Sequence, residues 1–108
     1  MNFIDTRQLK ATERKPGWHG RYFDSPSMTF AHYEFEKGAA IHEHSHPEEE
    51  VWQVIEGSLE ITIGEVTKKV GPGSVGIVPP NTRHRIVALS DGKAIVIDTP
   101  RRTFEGKP

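Results

Sequence analysis

Glycine and proline punctuate this 108-residue chain so closely that no segment offers a long, uninterrupted helical pattern. Between the breaks, apolar residues recur at period two. Leu59, Ile61 and Ile63 alternate with Ser58, Glu60 and Thr62, the signature of a strand with one buried face. Gly64-Glu65, just after it, suits a two-residue hairpin whose first residue takes a positive φ. Pro72-Gly73 fits the centre of a type II turn, and Asp91-Gly92 predicts a further hairpin between 85–89 and 94–98. The pattern places strands at 27–35, 40–46, 51–56, 58–63, 66–70, 74–79, 83–89 and 93–98. The best helix candidate is the polar stretch Arg7 to Arg14, which has no convincing apolar stripe. Many short strands at near-even spacing predict an all-β, antiparallel sandwich or barrel. The length fits one domain over 1–108, with a barrel core at about 27–98.

Composition removes several functions. Lys and Arg number 14 against 15 Asp and Glu, so no basic footprint exists for nucleic acid, and no polybasic or amphipathic stretch suits a membrane surface. Without cysteine, the chain has no disulfides, thiolate metal sites or cysteine nucleophile. The opening Met1-Asn2-Phe3-Ile4-Asp5 lacks a signal-peptide profile, and no apolar run could cross a bilayer, so a cytoplasmic protein is expected.

Three of the six histidines fall in His42-Glu43-His44-Ser45-His46. On a regular strand, side chains two apart share a face. Clustered imidazoles on an outer face would do little for stability; aimed inward, they form a set of ligands for a first-row divalent ion. Hydrogen bonds in a polar barrel interior are the other way to satisfy them. Glu50 lies four residues beyond His46, across Pro47, and can return on the next strand with an anionic oxygen. His84 opens a segment that could run beside the first two.

The glycines and prolines around these residues have a recognisable spacing. Gly38, five residues, His44, one residue, His46, three residues, Glu50, six residues and Gly57 match the first cupin motif at every fixed position. Gly73, Pro79 and His84 fit the second motif, with Asn81 in place of its glycine and Ala88 in place of its final asparagine. Asn tolerates positive φ better than most residues, so the turn at Pro80-Asn81 is expected to survive. The chain therefore resembles the small single-domain members of the cupin superfamily. That resemblance implies an antiparallel double-stranded β-helix, or jelly-roll barrel. It also implies one divalent transition metal (Mn, Fe, Ni, Co, Cu or Zn) held by His44, His46, Glu50 and His84, with positions left open for a small-molecule substrate.

A finer resemblance runs through Phe35-Glu36-Lys37-Gly38-Ala39, His44-Ser45-His46-Pro47 and Ile97-Asp98-Thr99-Pro100-Arg101-Arg102. It is similar to the small cupins of pectin and alginate breakdown that linearise unsaturated uronates. In those proteins an arginine soon after the Thr-Pro pair contacts the substrate carboxylate, a position matched by Arg102. Glu50 stands where they often carry Gln, Val96 replaces an acidic residue, and Asp98 replaces an aromatic one but shares the face of Val96. Asp98 and Arg102 are thus candidate catalytic residues, joined by His42, which is expected on the strand face of His44 as a proton shuttle or substrate contact. The ordinary role for Arg101 and Arg102 is a solvated pair, for His42 an idle place at the barrel mouth, and for Trp52, Tyr33 and Phe35 core packing. Glu48 and Glu49 are expected to be solvated, and Arg85 to point away from the metal. The functions in view are isomerase, lyase or dioxygenase chemistry, against a binding or sensing module without turnover. A homodimer is expected, with Trp18, Tyr22 and Phe23 preceding the barrel as interface or capping residues.

Overall fold

The computed structural model describes residues 2–102. Ten strands form two antiparallel sheets: β1 (Thr12–Lys15), β2 (Trp18–Asp24), β3 (Thr29–Phe35), β4 (Ala40–His44), β5 (Glu49–Glu56), β6 (Leu59–Ile63), β7 (Val66–Val70), β8 (Val75–Val78), β9 (His84–Ala88) and β10 (Gly92–Thr99). The larger sheet runs β1-β2-β3-β10-β5-β8 and the smaller β4-β9-β6-β7. This is the expected jelly-roll architecture, and each of the eight expected strands is present.

Alternation decides what each sheet buries. Leu59 and Ile61 on β6, Ile86 and Ala88 on β9, Trp52 and Val54 on β5, and Ala94 and Val96 on β10 all face one hydrophobic cluster. Burying side chains such as Leu59 and Ile86 is worth about 1.5–3 kcal/mol each. The β6–β7 hairpin pairs Ile63 with Val66 across Gly64-Glu65, and Gly64 takes φ 60° as its turn requires. Ser74 donates to the Gly71 carbonyl at 2.9 Å around Pro72-Gly73, closing the type II turn.

Three expectations are corrected. Residues 7–14 form no helix. A single 3-10 turn at Thr6–Gln8 is capped by the Asp5 carboxylate, and the chain then pairs as β1 with β2. Without an apolar stripe to pack, a helix there had nothing to hold it, whereas the strand gains a ladder. Asp91-Gly92 does not close a hairpin. β9 belongs to the smaller sheet and β10 to the larger, so these residues carry the chain between sheets. The crossing is tight: a Cβ on Gly92 would lie 2.2 Å from the Glu56 carbonyl and 2.6 Å from the Phe35 ring, while Asp91 Oδ1 accepts from the Lys37 N–H at 2.8 Å. Finally, Trp18, Tyr22 and Phe23 do not precede the barrel; they lie within it on β2. Trp18 is buried inside against Phe35 and Trp52, and Phe23 stacks on Phe30 outside.

Candidate metal centre

Three elements bring the centre together. His44 ends β4 and lies opposite His84 at the start of β9, while Glu50 enters on β5. His46 sits just past β4 in the turn to β5. Its carbonyl accepts from the Asn81 N–H at 2.8 Å, and Asn81 has φ 60°, the left-handed conformation foreseen for it. The regular alternation expected over 40–46 does not hold. Ile41 pairs with Ile86 and His44 with His84, so β4 carries one extra residue, a bulge at His42-Glu43. The bulge turns both Ile41 and His44 inward and leaves His42 exposed at the cavity rim.

Each imidazole is fixed in the same tautomer. Nδ1 of His44 lies 2.8 Å from the His42 carbonyl, Nδ1 of His46 lies 3.1 Å from the Glu48 carbonyl, and Nδ1 of His84 lies 2.9 Å from the Thr82 carbonyl. A carbonyl oxygen only accepts, so all three Nδ1 atoms carry hydrogen and the Nε2 lone pairs are left to face one another. One ligand atom from each ring lies within 4.8 Å of those from the other two.

Those lone pairs meet a buried carboxylate. Nε2 of His46 is 3.2 Å from Glu50 Oε1, and Nε2 of His84 is 3.3 Å from Glu50 Oε2. Neither buried Nε2 atom has a hydrogen-bond partner of good geometry. An imidazole lone pair facing a carboxylate in a dry interior is repulsive unless a cation sits between them. Three nitrogens and one oxygen donor around that space fit a first-row divalent ion.

The carboxylate is itself held firmly. Burial alone would raise the Glu50 pKa, but the Trp52 indole N–H that donates to the carboxylate, with Asp98 beside it, favours the ionised form. Asp98, opposite Glu50 in the β5–β10 ladder, goes the other way: burial and the neighbouring Glu50 push its pKa up to about 9, against the pull of Arg102. Arg102 places Nη1 at 3.4 Å from Glu50 and 3.8 Å from Asp98, and its backbone N–H donates to Thr29 Oγ1 at 2.8 Å. Arg101, by contrast, faces Asp24 at 4.0 Å on the exterior.

A cavity of about 550 Å³ opens from the centre, and His42, His44, Glu50, Asp98 and Arg102 all reach it. Glu49 and Arg85 are exposed, as expected. Glu48 is not: only 16 % of its side chain is exposed, 3.5 Å from His46 Nδ1 and 4.0 Å from Arg102. The sequence reading also assigned no site role to Arg14, Tyr22 or Tyr33, which line the cavity. Arg14 lay in the supposed helix, and no local pattern marks a residue that an edge-strand bulge turns inward.

Comparison with known proteins agrees with this architecture. The cupin-domain family model matches residues 31–100. An H2HPP isomerase of Bacillus subtilis is 36% identical over 62 residues, which are 56% of this chain but only 26% of that protein. The structure of KdgF from Halomonas sp. superposes with a TM-score of 0.87 at 24% identity, covering 94% of this chain and 96% of the other. Oxalate decarboxylase of Bacillus subtilis, studied for its Mn(II) centres, superposes at 0.83 with 20% identity over 96% of this chain and 30% of its own. The family match spans well over half the chain and includes all four converging residues, and both solved structures share the two-sheet fold. This chain belongs to the cupin domain family.

Proposed function

We propose that this protein is a metal-dependent isomerase of small organic acids, with one divalent transition metal held by His44, His46, Glu50 and His84. The observation that carries the reading is the convergence of three Nε2 lone pairs and a buried carboxylate at the end of an open cavity. A bound divalent ion supplies Lewis acidity, polarising a carbonyl and favouring loss of a proton beside it. The Mn(II) centres of the decarboxylase and the isomerase named among the relatives support this choice of chemistry.

The chain's own residues provide the rest. Arg102 presents a guanidinium at the cavity wall, suited to a carboxylate in paired hydrogen bonds. Asp98 and His42 also line the cavity and can hold or pass a proton to a bound molecule. Trp18, Tyr33 and Trp52 keep the inner wall apolar and exclude water. The test is exchange, in heavy water, of the hydrogen beside the carbonyl of small 2-keto acids, followed by NMR. The metal-loaded protein should catalyse it, and chelated protein and His84→Ala should not. Oxygen consumption in its place would move the assignment to an oxygenase; bound acid without any turnover would leave a sensing module.

The homodimer is proposed on a separate feature. Phe23, Phe30, Ile97, Val51 and Ile77 are successive ladder partners and make one apolar row across the outer face of the larger sheet. The row crosses five of the six strands, about 4.8 Å apart, and a second copy offers the same apolar row for it to pack against. Light scattering at micromolar concentration should give twice the chain mass, reduced to one chain by Ile97→Glu. A monomeric wild-type protein removes the proposal.

A further inference from the structure

One wall of the cavity continues away from the metal centre as an unbroken series of contacts. The Trp52 indole N–H is bonded to Glu50, and its ring stacks on Tyr33 with centroids 6.0 Å apart and planes 12° apart. Tyr33 meets Tyr22 edge-on at 5.9 Å, their hydroxyl oxygens 3.4 Å apart. The guanidinium of Arg14 lies over the Tyr22 ring at 3.8 Å. The series thus begins at a metal-ligating carboxylate and ends on a cation.

Local backbone devices build the far end. Glu13 pairs with His19 and Lys15 with Trp18, so Arg14 is the extra residue of a bulge in edge strand β1. Such bulges re-aim a side chain, and this one accompanies the turn of Arg14 into the cavity. Gly20 completes the arrangement. A Cβ there would lie 2.6 Å from the Tyr22 ring and hydroxyl, so a side chain at residue 20 would push that ring from its place beneath the guanidinium. Lys15 adds a second positive charge at the same end.

We propose that Arg14 with the Tyr22 and Tyr33 hydroxyls forms a second anion subsite, so that the cavity takes a flat, unsaturated organic acid carrying two carboxylates. This rests on the reading of a metal-centred acid site. One carboxylate lies at the metal end, beside Arg102; the unsaturated middle lies against Trp52 and Tyr33; the distal carboxylate meets Arg14. A guanidinium presents paired donors that a carboxylate matches, and the Tyr33 hydroxyl, which accepts from the Tyr22 O–H, has its own O–H to add.

The cavity supplies its own reporter, because the chain has two tryptophans and both line it. Metal-loaded protein is titrated with trans,trans-hexa-2,4-dienedioate and with trans,trans-hexa-2,4-dienoate, which puts a methyl group where the diacid has its second carboxylate. Tryptophan fluorescence gives both affinities. The diacid should bind at least tenfold more tightly. Arg14→Gln should bring the ratio near one while leaving monoacid affinity and metal content unchanged. Arg14→Met, which keeps the stem packed on Tyr22, serves as the check on folding and should behave as the Gln variant does. A wild-type ratio near one, absence of binding by either acid, or a ratio that survives both substitutions overturns the subsite. Elemental analysis of the same samples separates the two readings: intact metal with no ratio counts against the subsite, and absent metal with an Arg14-dependent ratio counts against the metal centre alone.

Discussion

His44 and His84 lie directly opposite one another in the β4–β9 ladder, their ring centroids 4.2 Å apart. His84, fully buried, turns Nε2 to 3.3 Å from Glu50 Oε2, and His44 brings a ring nitrogen into the same cluster. Replacing either with Ala removes one of four donors and leaves the others converging on a space they can no longer close. Metal content of the purified variants should fall at least tenfold, by elemental analysis, with the β-rich circular dichroism retained. Stoichiometric metal in His84→Ala would sink the assignment of the ligands.

Trp52 acts on the centre through Glu50. Trp52→Phe keeps the aromatic wall and deletes the indole N–H that the carboxylate accepts. A hydrogen bond to a charged group is worth about 1.5–3 kcal/mol, and loss of such a support for a metal ligand lowers affinity by roughly 10–100-fold. Both effects are measurable, by denaturant unfolding of the metal-free protein and by competition with a chelator. Unchanged metal affinity in the variant would show that Glu50 is held without Trp52.

Two glycines with positive φ should respond differently to alanine. Gly38 has φ 88° and open space around its missing Cβ, so Gly38→Ala bears only the left-handed backbone penalty of about 1–2 kcal/mol. Gly57 has φ 76°, and its Cβ would sit 2.2 Å from the Asp91 carbonyl, so Gly57→Ala must also displace the crossing between sheets. Overpacking of this kind adds about 1–3 kcal/mol. Equal midpoints for the two variants in urea would show that the crossing yields without strain.

His19 supplies a pH signature remote from the centre. Its Nε2 lies 2.6 Å from Glu36, whose hydrogen bond raises the imidazole pKa above 6.5, with Glu13 and Glu34 contributing charge and slight burial opposing them. The folded-state value therefore exceeds the unfolded one. The pair's stabilisation is complete below the unfolded pKa and fades as pH rises through the folded value. NMR titration should place the His19 midpoint above 6.5, and Glu36→Gln should return it toward that value. A midpoint indifferent to Glu36→Gln would refute the pairing.

Local chemistry made much of this protein legible. Alternation over Leu59, Ile61 and Ile63 and the turns at Gly64-Glu65 and Pro72-Gly73 depend on neighbours a few residues away, so the strands and their breaks could be read directly. The spacing of His44, His46, Glu50 and His84 likewise pointed to one site, because it matches the cupin motifs. The fate of 7–14 is not legible locally, because it depends on pairing with β2, a partner that local composition does not announce. Asp91-Gly92 had the residues of a hairpin, but which sheet receives each flanking strand is a property of the whole fold.

Sequence alone thus determined the strand pattern, which follows from period-two geometry, and the four residues that converge, which follow from the spacing shared with the cupin motifs. Tertiary structure alone decided that Nδ1 of every site imidazole is committed to a backbone carbonyl, that Asp98 faces Glu50, and that bulges expose His42 while turning Arg14 inward. Side-chain direction at a bulge and the pKa of a buried carboxyl depend on atoms distant in the chain. Only folding brings those atoms within reach.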